Sequence, residues 1–195
     1  IPTITFVTVD TANGNVNIEW DVNPAEDTYG YIIYILEAGF WEEFDTVWGR
    51  INTQYTHTVA HPYHNADENP ETYRVAAFDS CSTASIPPTY QTSAQSVQHS
   101  TIHLTIDYNI CALTNRLEWT SYEGWPDGVD YYEVWVSIEG SPLTKIAEIN
   151  NAGFFYNHTG LGYDATYEYV IRAVSLDGEE SFSNRVAQFT NKPYQ

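Results

Sequence analysis

Short segments in which hydrophobic and polar residues alternate are the main pattern in this chain of 195 residues. Ile4 to Val9 alternates in part, and Val16, Ile18 and Trp20 occupy every second position of the next segment. A period of two is typical of a β-strand with one buried face, and apolar positions at helical spacing are nearly absent. Gly, Asn and Asp between the segments indicate turns. We therefore predict an all-β protein of short antiparallel strands.

The pattern occurs twice along the chain. Trp20 is followed by Tyr73 after 53 residues, and Trp119 is followed by Tyr169 after 50 residues. The second tryptophan follows the first by 99 residues. A repeat of this length predicts two small domains of one type, each with its own core.

We place the domain boundary so that the domains comprise residues 1–99 and 100–195. The link from Gln98 to Ser100 contains neither Pro nor Gly. We therefore expect two closely coupled domains rather than domains on a flexible tether.

The charge is strongly negative, with 26 acidic residues against 7 Lys and Arg and a net charge of −19. Such a surface repels phosphate backbones and anionic membranes, which argues against nucleic acid as a partner. No apolar run approaches the ~18 residues needed to span a bilayer, so we expect no direct membrane insertion. The chain has no Met, and we expect it to be part of a larger polypeptide.

Two sets of residues carry a family resemblance: Trp20 with Tyr73, Val75 and Ala77, and Trp119 with Tyr169, Ile171 and Ala173. They resemble the fibronectin type III domain, which has a tryptophan on its second strand and a Tyr-x-aliphatic-x-Ala pattern on its sixth. The resemblance implies two tandem immunoglobulin-like antiparallel β-sandwiches. It also makes the two tryptophans and two tyrosines core residues without a binding role.

A narrower resemblance rests on Tyr73 to Cys81, His99 to Leu104, and Cys111 before Trp119. These segments are similar to tandem pairs near the C-terminal ends of large secreted proteins of Bacteroidetes bacteria. That resemblance implies an exported protein, located extracellularly or at the cell surface.

The two cysteines, Cys81 and Cys111, are expected to form one disulfide, as is common in acidic surface-type chains. The alternative is two buried free thiols. A bridge would join the two domains. Since the Cα atoms of a disulfide lie within ~7 Å, it would require domains that lie side by side.

A candidate calcium site lies between the second and third strands, formed by Asp21, Asn23, Glu26 and Asp27. Calcium prefers several oxygen ligands, although the spacing is not that of an EF-hand. The alternative, which we favour, is a solvated loop without a cofactor.

Three histidines, His57, His61 and His64, resemble a loose metal cluster. Zinc sites need three or four ligands with supporting hydrogen bonds. We favour the interpretation that these are surface histidines on a loop.

Three tryptophans, Trp41, Trp48 and Trp125, are candidate ligand-facing aromatics, because flat indoles stack on sugars or anchor protein interfaces. The favoured alternative is packing, with Trp41 or Trp48 covering a sheet edge and Trp125 wedged between the domains.

No nucleophile elbow, phosphate loop, paired zinc motif or kinase signature is present, so we do not expect an enzyme. We predict a non-catalytic extracellular module pair. It would serve as a spacer or adhesion segment of a larger exported surface protein, binding a protein partner or presenting neighbouring domains. The alternative is a carbohydrate-binding accessory module of a polysaccharide-degrading enzyme, so the partner is a protein or a glycan at the cell surface. A eukaryotic receptor ectodomain fits less well, because the Trp-Ser-x-Trp-Ser motif of cytokine receptors is absent.

Overall fold

The computed structural model describes residues 1–82 and 89–192, with Ser82 described by its backbone alone. These residues form β-strands and no α-helix, which confirms the all-β prediction. In the described part of the chain, no helix has the length and apolar character needed to cross a membrane. The first half contains β1 (Ile4–Val9), β2 (Val16–Trp20), β3 (Thr28–Glu37), β4 (Phe40–Trp48), β5 (Gln54–His57), β6 (Thr72–Ser82), β7 (Tyr90–Thr92) and β8 (His99–Ser100). The second half contains β9 (Leu104–Asn109), β10 (Thr114–Trp119), β11 (Val129–Ile138), β12 (Thr144–Asn150), β13 (Phe155–Thr159), β14 (Ala165–Ser175), β15 (Glu180–Phe182) and β16 (Val186–Thr190).

Each half pairs a small sheet with a larger one. In the first half the small sheet has the order β1-β2-β5, and the larger has the order β4-β3-β6-β7 with β8 also pairing β6. In the second half the orders are β13-β10-β9 and β12-β11-β14-β15, with β16 also pairing β14. The paired strands are antiparallel. Both halves are therefore antiparallel β-sandwiches of the immunoglobulin-like type.

Each sandwich has its own core, centred on a tryptophan and a tyrosine from the facing sheet. Trp20 packs edge-on against Tyr31 with ring centroids 5.3 Å apart, and Trp119 lies 5.8 Å from Tyr132. Tyr73 and Tyr169 are fully buried in the same two cores. The alternation along β3 and β11 places one tyrosine of each strand inward, which leaves the outward positions free to differ between the domains.

The chain passes from one sandwich to the other without a linker. Ser100 in β8 pairs with Thr72 of β6, whereas Ile102 already belongs to the second core. Between them, Thr101 donates its N–H to the Glu71 carbonyl, and its hydroxyl oxygen accepts the Glu71 N–H, each at 2.9 Å. The connection is thus held on both sides of the boundary.

The predicted Cys81–Cys111 disulfide is absent. Both thiols are free and exposed, so the alternative of buried thiols is wrong as well. The reason is strand geometry: β6 starts beside the boundary at Thr72, and Cys81 lies roughly 30 Å farther along the strand. Cys111 lies in the turn after β9, at the end of that strand away from the boundary. The domains instead meet through β1 and β15.

Candidate functional site: the interdomain joint and an aromatic face

The interdomain joint is formed where the edge strand β1 meets the second domain. Val7 donates its N–H to the Tyr122 hydroxyl at 3.1 Å, and its carbonyl accepts from Ser181 Oγ at 2.7 Å. Phe182 donates its N–H to Thr8 Oγ1 at 2.8 Å. An edge strand presents unpaired backbone groups, and here the second domain satisfies part of that edge.

Trp125 lies in this joint rather than on the surface. It is 9% exposed, and its indole Nε1 donates to the Thr5 carbonyl at 2.8 Å. Its ring lies against Tyr122 with centroids 3.9 Å apart, and Phe6 of the first domain packs on the second core. The indole therefore fills a gap between the domains and does not present a free face to a ligand.

His99 lies at the boundary, buried beside the same tyrosine. Its Nδ1 is 2.7 Å from the Tyr122 hydroxyl. Burial lowers the pKa of His99 to about 4, so the imidazole is neutral at pH 7. A Cβ atom on Gly124 would lie 2.3 Å from the ring, which shows how closely the backbone approaches it. The histidine is thus a fixed, uncharged part of the joint.

The outer surface of the larger sheet in the first domain carries four packed rings. We call Tyr29, Trp48, Phe78 and Tyr90 the aromatic face. Phe78 lies 5.2 Å from both Trp48 and Tyr90, between ring centroids. Phe78 is buried, whereas Trp48 is 52% and Tyr29 47% exposed. Gly30 makes room for the ring, since a Cβ there would lie 2.6 Å from Phe78. The result is an apolar patch open to solvent.

The equivalent surface of the second domain is ionic. Tyr31 pairs with Ala77 and Tyr132 pairs with Ala173 in the two larger sheets, so these tyrosines are equivalent. The next residues, Ile32 and Glu133, therefore correspond on the outer side. Glu133 is buried and forms ion pairs with Arg172 and Lys145 at 2.5 and 3.0 Å. Burial alone would raise the pKa of Glu133, but hydrogen bonds from Lys145, Arg172 and Trp135 outweigh it and lower that pKa. The two domains have similar cores but differ on this outer surface.

The histidine loop is partly buried, which corrects the prediction of surface histidines. His57 has no exposed surface, and its Nδ1 lies 2.6 Å from the Tyr73 hydroxyl. His64 is half-buried and contacts the Gly14 carbonyl through Nε2 at 2.9 Å. Within residues 1–82 and 89–192, no group of three or more His, Cys, Asp or Glu is arranged to hold a metal ion. His57 is therefore assigned to core polar packing.

The candidate calcium loop is held by its own hydrogen bonds. Asn23 is buried and donates its side-chain amide to Thr28 Oγ1 at 2.7 Å. The Arg50 Nε donates to the Asn23 carbonyl at 3.0 Å, which places a guanidinium at the loop. Three further predicted ligands are exposed: Asp21, Glu26 and Asp27. Calcium binding here stays a prediction.

Trp41 makes a cation–π contact. The Arg74 guanidinium lies over its ring, 4.1 Å from the centroid. Because this contact covers one face of the indole, Trp48 is the predicted ligand-facing tryptophan with the more open surface.

No protein-family model and no curated protein matches this sequence. Among solved structures, pectate lyase PelI from Erwinia chrysanthemi in complex with tetragalacturonic acid is 20% identical, with a TM-score of 0.40 over 45% of this chain and 28% of that chain. The FN1–FN3 domains of chicken CNTN1 are 15% identical, with a TM-score of 0.41 over 97% and 64%. A two-domain fibronectin type III segment from chicken tenascin is 12% identical, with a TM-score of 0.34 over 96% and 95%. The chain therefore spans 28% of the length of the pectate lyase and 64% of the CNTN1 chain. At this level of similarity the matches carry no functional information.

Proposed function

We propose that this chain is a non-catalytic module pair of a larger exported surface protein. It acts as a rigid spacer and adhesion segment, holding neighbouring domains in a set orientation and binding a protein partner. The observation that carries the proposal is the interdomain joint, in which Val7 and Trp125 make hydrogen bonds across the boundary. Domains joined by a mobile linker would lack such buried polar contacts.

The interdomain joint should be rigid because separating the two domains costs free energy. Opening the joint breaks the hydrogen bonds between the domains. Each broken bond costs about 1 kcal/mol of net free energy, because water replaces the lost partner. It also exposes the packed rings of Tyr122 and Trp125. We therefore expect the closed arrangement to dominate at neutral pH.

The aromatic face is the proposed contact surface for the protein partner. Exposed aromatic clusters commonly anchor protein interfaces. Glu43 lines the cavity beside Trp48 and Tyr90, while Asp27 and Asp79 line the one beside Phe78. By charge complementarity, we infer a partner whose apolar centre is surrounded by Lys or Arg.

Carbohydrate binding is the second candidate, favoured by the half-exposed Trp48 indole. A sugar platform needs rings whose faces lie flat to the solvent. The rings of Trp48 and Tyr29 instead meet at 82°, so the face offers a cluster rather than a platform. This geometry favours the protein partner.

The spacer role is tested by comparing wild type with Trp125→Ala by ¹⁵N relaxation and small-angle X-ray scattering. The wild type should tumble as one body, and Trp125→Ala should show a larger maximum dimension and separate domain correlation times. Trp48→Ala is the matched control, because it removes an indole outside the joint. Independent tumbling of the wild-type domains would overturn the spacer proposal.

The partner surface is tested with a fluorescent peptide that carries Leu and Trp flanked by Arg, read by anisotropy. Trp48→Ala should weaken binding at least tenfold, whereas Trp135→Ala in the second domain should leave it unchanged. An acidic version of the peptide should not bind. If neutral hexasaccharides quench tryptophan fluorescence in the wild type but not in Trp48→Ala, the carbohydrate alternative replaces the protein partner.

A further inference from the structure

We propose that the interdomain joint is a pH-sensitive latch, in which protonation of His99 releases Tyr122 from the first domain. The latch is a chain of two hydrogen bonds, from Val7 N–H to the Tyr122 hydroxyl at 3.1 Å and from that hydroxyl to His99 Nδ1 at 2.7 Å. It is distinct from the spacer role, because it concerns the conditions under which the two domains separate.

The direction of these hydrogen bonds follows from chemistry. A backbone N–H can only donate, so the Tyr122 oxygen accepts from Val7. The hydroxyl proton is then directed to His99 Nδ1, which must be an unprotonated acceptor with its proton on Nε2. The contact therefore requires neutral histidine.

Protonation of His99 would oppose this arrangement. A proton on Nδ1 would point at the Tyr122 hydroxyl, whose own proton would lose its acceptor. The ring has little space in which to move away, because the Gly124 backbone lies against it. His99 and Tyr122 are both buried, so water does not readily relieve the conflict.

The charged and titratable groups around His99 come from three elements. Tyr73 and Arg74 lie on the adjacent β6, Tyr122 and Glu123 precede β11, and Glu179 acts on Tyr122 from the turn after β14. The lowered pKa of His99 has burial as its cause. Within residues 1–82 and 89–192, no carboxylate lies within ion-pair distance of the His99 ring, so the closed joint offers no acidic partner to an imidazolium.

The closed joint should lose stability as the pH falls. In an opened joint His99 would titrate near its ordinary value, about 6.5. The closed joint binds fewer protons, so its stability is fully present above pH ~6.5 and is lost as the pH falls towards the closed-state value. With a closed-state pKa of about 4, the ratio of open to closed molecules should rise about thirtyfold between pH 8 and pH 5.

His158 provides an internal comparison. Its Nδ1 lies 2.8 Å from the Tyr169 hydroxyl, which accepts from the Asn115 side chain and so directs its own proton to the imidazole, as Tyr122 does to His99. This pair lies within the second domain, whereas the His99 pair connects the two domains.

The native thiols allow a direct measurement. Cys81 and Cys111 are free and exposed, one in each domain, and they are the two cysteines of the chain. Spin labels on both sites give the interdomain distance distribution by double electron–electron resonance. His99→Asn is the test variant, because its Oδ1 can accept from Tyr122 but cannot be protonated. His158→Asn is the matched control.

Spectra are compared between pH 8 and the lowest pH, down to 5, at which near-ultraviolet circular dichroism shows both domains folded. Wild type and His158→Asn should gain a second, broader distance population on acidification, whereas His99→Asn should keep the narrow one. Tyr122→Phe should already show the broad population at pH 8. An unchanged wild-type distribution, or equal broadening in His99→Asn, would overturn the latch.

Discussion

At the scale of single residues, a carboxylate replaces a tyrosine in the first domain. Tyr167 of the second domain accepts the Gly162 N–H at 2.8 Å, the contact known as a tyrosine corner. Glu71 stands at the equivalent position, two residues before the core tyrosine of its strand, and accepts the Asn65 N–H at 2.5 Å. The same backbone turn is thus held by an ionisable group.

The environment of Glu71 determines its charge. Burial alone would raise the pKa of Glu71, but hydrogen bonds from His57, Tyr73 and the Asn65 N–H outweigh burial, and the pKa is lowered. A lowered carboxyl pKa contributes stability above the unfolded value, about 4.3, and this stability is lost as the pH falls through the folded value.

Glu71→Gln should therefore destabilise the first domain by about 2–3 kcal/mol at pH 7, the usual magnitude for a hydrogen bond to a charged group. The deficit should shrink as the pH falls below about 4.3, the unfolded value, because the charged carboxylate then contributes less to the stability of the wild type. Urea unfolding at pH 7 and pH 3.5, followed by tryptophan fluorescence, measures both effects.

Tyr167→Phe is the control, because it removes the corner hydroxyl from the other domain without removing a charge. It should cost about 1 kcal/mol at both pH values. A deficit for Glu71→Gln that is equal at pH 7 and pH 3.5 would contradict the assigned role of the carboxylate.

At the scale of strands, the aromatic face depends on a missing side chain in β3. Gly30→Ala would place a Cβ 2.5 Å from the Val47 carbonyl and 2.6 Å from the Phe78 ring. Overpacking of this kind costs roughly 1–3 kcal/mol. We expect that loss in urea unfolding, together with a changed near-ultraviolet spectrum as the rings shift.

Gly162→Ala is the matched control for this substitution. Its Cβ would make an ordinary contact, 3.5 Å from the Tyr167 hydroxyl, and its backbone N–H would remain available. Its stability should stay within about 0.5 kcal/mol of wild type. Equal losses for the two variants would show that Phe78 does not depend on the space at Gly30.

Strands could be predicted from the sequence where hydrophobic residues recur at every second position, as in Ile4–Val9 and Val16–Trp20, which form β1 and β2. His57 was misassigned because β5 has four residues and its partner, Tyr73, lies on another strand. Ile32 and Glu133 each follow a core tyrosine and occupy equivalent outward positions. That one surface is apolar and the other ionic can be recognised only once the strand register is known. Local pattern determines which face is buried, whereas the chemistry of a surface depends on neighbours distant in sequence.

At the scale of the whole molecule, the two domains are held together without a disulfide. The joint consists of hydrogen bonds and packed rings between β1 and the second domain, including Ser181 to Val7 and Trp125 to Thr5. The short link predicts closely coupled domains, and the structure adds contacts between β1 and β15 that need no disulfide. The arrangement should therefore be insensitive to reduction.

The effect of a reductant decides between the two arrangements. A bridge between Cys81 and Cys111 would span 30 residues and contribute roughly 3–4 kcal/mol, so reduction would lower Tm by about 10 °C. With both thiols free, dithiothreitol should leave Tm unchanged within about 1 °C, as should the Cys81→Ser and Cys111→Ser double variant, because exposed side chains contribute little. Thiol titration of the unreduced protein should count two thiols, and intact mass should show no loss of two hydrogens. A reduction-sensitive Tm, restored on reoxidation and absent in the double variant, would instead mean that β6 and the turn after β9 approach each other in solution.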